Sequence, residues 1–380
     1  MDFSLTDDER LIQDTARQIA REVIAPRAAE TDATATFPHD NVTKLAELGF
    51  MGMMVSEEFG GAALSTMAYA LAIEEISKAC ASTGVIMSVN NSLVCHPIEK
   101  FGTDAQKKKY LPKLAAGEWL GAYCLSEPDT GSDAARQKTV AIRKGDRYVL
   151  NGTKNFITNG QVADVYIVYC MTDVAAGHRG ISSVIVEATT PGLERGAKER
   201  TMGIRGSSTC QIILTDCEIP AENLLGAEGE GFKVALNTLD GGRIGIASQA
   251  LGIGAACLAD STRYANERHA FGEAIGQFQA IQWMIADMAT ELDAARLLTW
   301  QAAAAKDAGR KYTMEASVAK AFASRMAVMN ADRAVQVHGG YGYLQDYAVE
   351  RYYRDAKVTE IYEGTTEIQK HIIATGLLKL

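Results

Sequence analysis

The strongest constraint on the fold is a change of hydrophobic period along the chain. Phe278 to Lys306 contains neither Gly nor Pro, and Thr313 to Val337 is similar. Uninterrupted stretches of this length suit the long helices of an antiparallel bundle. Small residues dominate Gly241 to Ala259, which allows close helix approach. Earlier in the chain the period shortens. Val140-Ala141-Ile142, Tyr148-Val149-Leu150, Asp164 to Tyr169, Ser183 to Val186 and Gln211 to Leu214 are short β-branched and aromatic runs. They alternate with the turn signals Lys144-Gly145-Asp146, Asn151-Gly152 and Asn159-Gly160, which predicts antiparallel strands. The first segment reads as helices. Thr6-x-x-Glu9 is a capping box opening a helix that carries Leu11, Ile12, Ala16, Ile19, Ala20 and Val23 until Pro26 stops it;. Thr103-x-x-Gln106 caps a later helix, and Tyr69 to Ala79 and Thr83 to Phe101 are apolar enough for buried helices. The expected architecture is α+β: an N-terminal helical domain over 1–118, a middle antiparallel β domain over 119–225, and a C-terminal four-helix bundle over 226–380. No β-α-β alternation occurs, so a doubly wound nucleotide-binding fold is excluded.

Composition narrows the function. A net charge of −9 argues against nucleic acid as a partner;. The N-terminus has no basic segment leading into an apolar run, and no stretch reaches about 18 apolar residues. The expectation is a cytoplasmic protein without membrane insertion. Seven cysteines are scattered without a C-x-x-C pair, which reads as reduced thiols. The six histidines are also dispersed, so no bound metal is expected;.

Near the C-terminus, the run from Ile361 to Gln369 places Glu363 after a bulky hydrophobic pair and before Gly364. Gly364 is expected to leave open space before the carboxylate. Thr366-x-x-Gln369 reads as a capping box that starts a helix just beyond it, with free N–H groups available to a polarised oxygen. A base beside N–H donors is what proton removal next to a carbonyl requires. The competing reading is a solvated loop residue. Five further segments carry candidate chemistry. Tyr123 to Asp133 is a strand entering a hydroxyl-rich turn, suited to a flat polar heterocycle or a phosphate. Phe156 and Thr158 share strand parity, which suits a ring stacked on one and hydrogen-bonded to the other. Asp240 and Arg243 stand three apart on a helix, either a surface pair or a functional one. Arg268 to Gly272 follows a helix end, and Gln336 to Gly342 supplies an amide followed by backbone that a ligand can approach closely. Gly252-x-Gly254 lacks a preceding strand and is no dinucleotide fingerprint;.

These segments, in this order and closed by Tyr362-Glu363-Gly364-Thr365, give the chain a recognisable pattern. It resembles the acyl-CoA dehydrogenase family over its whole length, most closely the short-chain (butyryl-CoA) branch. Ser82 to Leu93, Leu239 to Ala247 and Ile361 to Thr365 carry that likeness. The resemblance implies FAD lying between the β domain and the bundle. Tyr123, Leu125, Ser126, Gly131, Ser132, Phe156, Ile157 and Thr158 would hold the flavin, with Thr158 at its N5 edge, and Thr365 and Glu367 would also contact the cofactor. Arg268, Phe271, Gln279, Gln336, Val337, Gly339 and Gly340 would contact the pyrophosphate and adenine of a neighbouring subunit's FAD, within a homotetramer built as a dimer of dimers. Ser132, Asp240, Arg243, Tyr362 and Gly364 would line the acyl-CoA substrate channel.

The implied reaction is α,β-dehydrogenation of an acyl-CoA thioester. Glu363 takes the α-proton, the β-hydrogen leaves as hydride to flavin N5, and electrons pass to an electron-transfer flavoprotein. The thioester oxygen would be held by the backbone N–H of Glu363 and a ribityl hydroxyl. Burial is expected to raise the Glu363 pKa more than the nearby helix N-terminus lowers it. Phe156 stands where many relatives carry Trp, and Asp129-Thr130 replaces a smaller pair, which leaves local flavin contacts open. Gly242 occupies the position of the base in the isovaleryl and long-chain branches, so its pairing with Glu363 favours the short- and medium-chain arrangement. Gly84 lacks the Arg of glutaryl-CoA enzymes. Branched, alicyclic or medium-chain substrates, enoyl-CoA reduction, direct use of O₂ and a non-catalytic binding role are the alternatives.

Overall fold

Helix boundaries in the computed structural model, which describes residues 4–378, follow caps and prolines; the leader reading at Met1-Asp2-Phe3 lies outside them. Helix α1 (Asp7–Ile19) starts at the expected box: Thr6 Oγ1 accepts the Glu9 N–H, and Glu9 accepts the Thr6 N–H. Pro26 does not stop the helical run. A π-helical turn over Ala20–Ile24 leads into α2 (Ala25–Thr34), with Pro26 in its first turn. Proline lacks an N–H and its ring crowds the carbonyl four residues back, so a widened turn ahead of it relieves the clash. The device recurs. After α3 (His39–Glu47), α4 (Thr66–Ala79) and α5 (Ala81–Ser88), a π-helical Val89–Cys95 precedes α6 (His96–Phe101), with Pro97 in its first turn. Helix α7 (Asp104–Ala115) opens at the Thr103–Gln106 box.

The middle segment is a sheet in the order β6-β7-β3-β2-β4-β5-β8, with β1 paired to β4. Its strands are β1 (Gly121–Cys124), β2 (Val140–Lys144), β3 (Arg147–Ile157), β4 (Val165–Met171), β5 (Ile181–Glu187), β6 (Leu193–Lys198), β7 (Cys210–Pro220) and β8 (Leu224–Leu225). The sheet is mainly antiparallel, as expected, but β1 runs parallel to β4 and β2 meets β4 in parallel at one residue pair. The long excursion between β1 and β4 permits this, because parallel partners need a crossover rather than a tight turn.

The bundle comprises α8 (Gly231–Glu267), α9 (Gln279–Asp307), α10 (Thr313–His338), α11 (Ala348–Thr359) and α12 (Thr366–Leu378). A two-stranded hairpin, β9 (His269–Ala270) with β10 (Glu273–Ala274), joins α8 to α9. Helix α8 is the axis of the molecule, since its buried face packs on α4, α9 and α10 at once. By length and composition it could cross a membrane, contrary to the sequence reading, but 78% of its apolar window is buried inside the protein. Its small residues permit that burial. A Cβ at Gly252 would fall 2.4 Å from the Glu74 carbonyl oxygen and 2.7 Å from the Lys78 nitrogen, both backbone atoms of α4.

At the domain junction, Arg354 of α11 forms paired bonds to Asp32 of α2 and to Glu350. Next to it, the buried Asp355 carboxylate accepts the Ile204 N–H at 2.6 Å, and burial pushes its pKa up to about 6. The seven cysteines are free and buried, and no metal-binding cluster occurs among the described residues.

The α4–α8 contact gives a direct test of the close-approach argument. Gly252→Ala is expected to destabilise the protein by about 1–3 kcal/mol through overpacking against backbone that cannot yield. Equilibrium denaturation at pH 7 measures it, and an unchanged midpoint would refute the contact.

Candidate active site

The loop between α11 and α12 carries Glu363 in a left-handed conformation (φ 52°), followed by Gly364 at φ 98°. Two consecutive positive-φ residues reverse the chain sharply, and only the second is a glycine. Here the structure departs from the expected box. Helix α12 starts at Thr366, and the cap is Thr365, whose Oγ1 accepts the Ile368 N–H at 3.3 Å. Gln369 reaches back instead: its side-chain amide donates to the Gly364 carbonyl at 3.0 Å. Gly364 therefore faces no open space, because a Cβ there would lie 2.5 Å from Gln369 Nε2. The Thr366 N–H is taken by the Glu360 carbonyl, so the helix end does not present the free donor set that the pattern implied. The Glu363 N–H has no acceptor among the described residues.

The Glu363 carboxylate reaches across to α8. A Cβ at Gly242 would lie 2.0 Å from Glu363 Oε2 and 2.8 Å from Leu93 Cδ2, so glycine is required for the carboxylate to pass. Leu93 arrives there on the π-helical turn before Pro97. Oε2 is buried without a hydrogen-bond partner. Burial pushes the Glu363 pKa up to about 7, opposed first by Lys320 and then by Arg243. Desolvation dominates, as expected, and Lys320 and Arg243 are the side-chain charges that oppose it.

Of the expected substrate residues, Asp240, Arg243, Tyr362 and Gly364 gather near Glu363, whereas Ser132 is exposed on the β domain. Arg243 is buried and pairs with Asp240 at 2.6 Å, while Thr313 Oγ1 donates to the other Asp240 oxygen at 2.7 Å. This is an interior pair rather than a solvated one. Tyr362 Oη donates to Gln249 Oε1, and Gln249 Nε2 donates to the Ala81 carbonyl at 2.8 Å. Tyr69 Oη and Ser88 Oγ bond at 2.9 Å and sit where a Gly245 side chain would be. Tyr123, on β1, tilts against Tyr169 with ring centroids 5.0 Å apart.

The β-domain candidates occupy two neighbouring stretches. Leu125 is buried, Ser126 is half-buried, and Gly131 and Ser132 are exposed. Phe156 is 66% exposed and has φ 57°, at a register shift between Lys154 and Ile157. That bulge interrupts the alternation assumed for Phe156 and Thr158, and Thr158 lies beyond the strand end. A buried ion pair, missed in the sequence, ties the two stretches together. Lys154 Nζ donates to Glu127 at 2.8 Å, to Gln137 at 2.9 Å and to the Leu125 carbonyl at 3.3 Å. Glu127 in turn accepts the Lys138 and Thr139 N–H groups. Such full satisfaction is what a buried charge pair requires.

The remaining candidates lie elsewhere. Arg268, Val337, Gly339 and Gly340 line a cleft of about 500 Å³ with Tyr264 and Tyr341, and the Arg268 guanidinium sits 5.3 Å from the Tyr341 ring centre. Phe271 is 98% exposed at the tip of the β9–β10 hairpin, and Gln279 and Gln336 are exposed beyond it. Twenty-five residues of α8 separate Arg243 from Arg268, about 37 Å at the helical rise. The structure therefore does not bring this group to Glu363. Thr365 and Glu367 stay with the Glu363 loop, half-buried and exposed respectively.

Comparison with known proteins places this geometry. The chain matches the N-terminal, middle and C-terminal domain models of acyl-CoA dehydrogenase over residues 6–118, 122–217 and 229–378. It is 48% identical to a short-chain specific acyl-CoA dehydrogenase of Clostridium acetobutylicum, covering 100% of both chains. It superposes on butyryl-CoA dehydrogenase from Megasphaera elsdenii with a TM-score of 0.98 and 44% identity, covering 100% of both chains. A chain in the solved structure of an electron transferring flavoprotein of Acidaminococcus fermentans matches with a TM-score of 0.99 and 48% identity, again over 100% of both.

The raised pKa carries a stability signature. Because the folded value exceeds the ordinary carboxylate value, ionised Glu363 weakens the fold, fully above pH 7 and less as pH falls toward about 4.5;. Glu363→Gln is expected to be more stable than wild type at pH 8, by on the order of 1–3 kcal/mol, with the gap closing near pH 4.5. Parallel denaturation curves measure this, and a gap of opposite sign would refute the desolvated setting.

Proposed function

The chain belongs to the acyl-CoA dehydrogenase family, and on that premise we propose that Glu363 is the base that removes the α-proton of a short-chain acyl-CoA. Family membership makes the protein an FAD-dependent oxidoreductase acting on acyl-CoA thioesters. The observation that carries the reading is the carboxylate over Gly242, desolvated and without a partner at Oε2. A base held in that state near neutrality is matched to removing a weakly acidic proton at physiological pH.

The chain's own groups divide the remaining work. The Glu363 N–H, without an acceptor among the described residues, is placed to hold the thioester oxygen as negative charge develops on it. The Asp240–Arg243 pair brackets Gly242 on α8 and would line the CoA arm. Along α8 in the other direction, Gln249 stands seven residues past Gly242, about 10 Å at the helical rise. Its bonds to Tyr362 and Ala81 close that end of the path. A short acyl chain as substrate is in keeping with the 48% identity to a short-chain specific enzyme.

The residues present fit FAD. Exposed Phe156 on its bulge and open-sided Gly131 offer a flat apolar surface beside a polar turn. Lys154 and Glu127 brace both stretches from beneath. Gly339 and Gly340 have open space where a side chain would stand, beside the Arg268 guanidinium and aromatic rings, which suits a phosphate followed by an adenine. The chemistry that FAD supplies when bound is acceptance of the β-hydrogen as hydride. Because Arg268 stands 25 residues along α8 from Arg243, the cleft would serve the cofactor of a second copy, in the homotetramer that the family resemblance implies. An electron-transfer flavoprotein is the acceptor of the electrons.

Purified protein is expected to be yellow, and its flavin band to bleach anaerobically on addition of butyryl-CoA faster than with longer acyl chains. Glu363→Gln should keep its colour and bind substrate while bleaching at least about 10²-fold more slowly. Bleaching of that variant at the wild-type rate would remove Glu363 from the role.

A further inference from the structure

Lys320 is fully buried on α10, on the face that also carries Ala316, Ala319, Ala323 and Ala327. A lysine among core alanines is costly unless its ammonium has a task. Its Nζ donates to the Gly364 carbonyl at 2.7 Å, and it makes no ion pair within 4.0 Å of a carboxylate among the described residues. Gln369, also fully buried, donates to the same carbonyl at 3.0 Å. Both lone pairs of one carbonyl, a single residue beyond the base, are therefore used by side chains from two different helices.

We propose that Lys320 is a positioning residue for the base: with Gln369 it clamps the Gly364 carbonyl so that the reversed backbone presents Glu363 over Gly242, and its charge keeps that carboxylate ionised. The inference rests on the reading of Glu363 as the base. Glu363 and Gly364 at φ 52° and 98° form a conformation that a non-glycine residue adopts at some cost;. A loop in that state needs outside anchors, and the Gly364 carbonyl is where they attach. Gln369 can supply geometry only, whereas Lys320 supplies geometry and charge.

The electrostatic surroundings leave Lys320 a distinct part. Glu363 is faced by Arg243 from α8, Tyr69 from α4, Tyr123 from β1 and Tyr362 from its own loop. The tyrosines are held neutral by burial, so Lys320 and Arg243 are the cations that oppose desolvation, and Lys320 is the larger influence. Arg243 is already engaged by Asp240. Lys320 is itself pushed down to about 8 by burial and faced by Glu363, Arg243, Glu360 and Glu367. Its pKa stays above that of Glu363, so it carries charge as Glu363 begins to lose its proton.

The test uses FAD-loaded enzyme and two readouts: the acidic limb of the kcat/KM pH profile, and the protonated-carboxyl infrared band that Glu363→Gln removes. Lys320→Met and Lys320→Gln are expected to move both upward by about one pH unit. Lys320→Arg should return them to the wild-type position, and Gln369→Met should lower kcat without moving either. Lys320→Gln retains a donor for the carbonyl, so it decides the matter if the Met variant does not fold. Wild-type limbs in the Lys320 variants, with Glu363→Gln inactive, would overturn this inference alone. Activity in Glu363→Gln would instead overturn the assignment of the base.

Discussion

Holding a carboxylate out of water without a hydrogen bond at one of its oxygens is energetically unfavourable, and the architecture around Glu363 sustains that state. Three features from distant parts of the chain make it possible. Gly242 removes the Cβ that would collide with Oε2. The π-helical turn before Pro97 brings Leu93 against the same spot and excludes water from one side. The reversed loop, anchored through the Gly364 carbonyl, aims the side chain inward. With a methyl group at 242 the carboxylate would have to move. Without the anchors, the positive-φ pair would have little to hold it.

The same helix supplies both the notch and its rigidity. Gly252, some way further along α8, lets the backbone of α4 come within contact distance, and Gly245 makes room for the Tyr69–Ser88 pair. Glycines inside a helix cost stability relative to alanine, by about 1 kcal/mol each. In α8 that cost is offset by burial on α4, α9 and α10 together. An exposed helix with this composition would be a poor platform. Enclosed on several sides, it becomes the most constrained element of the molecule, which is what a base requiring sub-ångström placement needs.

Local signals are legible in the sequence, and signals that depend on remote partners are not. The Thr6 and Thr103 caps are correct because both bonds of each box lie within four residues. Thr366 looked like a third, yet the cap is Thr365, since Gln369 is drawn to a carbonyl of the reversed loop rather than to the helix end. Pro26 reads as a stop because a π-helical turn has no signature of its own beyond the proline that follows it. Lys154 and Glu127 are 27 residues apart, and Lys320 and Gly364 are 44 apart, so no spacing rule connects them. A usable signal did exist for Lys320: it occupies a core position in an alanine face at helical spacing, where a solvated lysine has no place. The Asp240–Arg243 spacing was visible, but its burial depends on Thr313 and the packing of three helices.

Burial and exposure together explain why one copy of the chain is insufficient on the proposed reading. Glu363, Arg243 and Lys320 are enclosed by elements of a single chain, so a monomer can build the base and its electrostatic setting. Phe271 is not enclosed: the hairpin presents an almost bare aromatic ring, which meets Phe278 edge-on with centroids 6.0 Å apart. Its tip is a two-residue turn with Phe271 at φ 52° and Gly272 at φ 93°, the geometry of a tight hairpin. A bulky side chain in the left-handed region of such a turn is unfavourable twice over, in backbone conformation and in exposed apolar area. If a second copy covers the ring, the exposed-area penalty is removed and that burial offsets the backbone cost. The length of α8 sets the scale: a cofactor seated near Glu363 in one copy meets the Arg268 cleft only if that cleft belongs to another. Assembly and cofactor retention would then be one equilibrium rather than two.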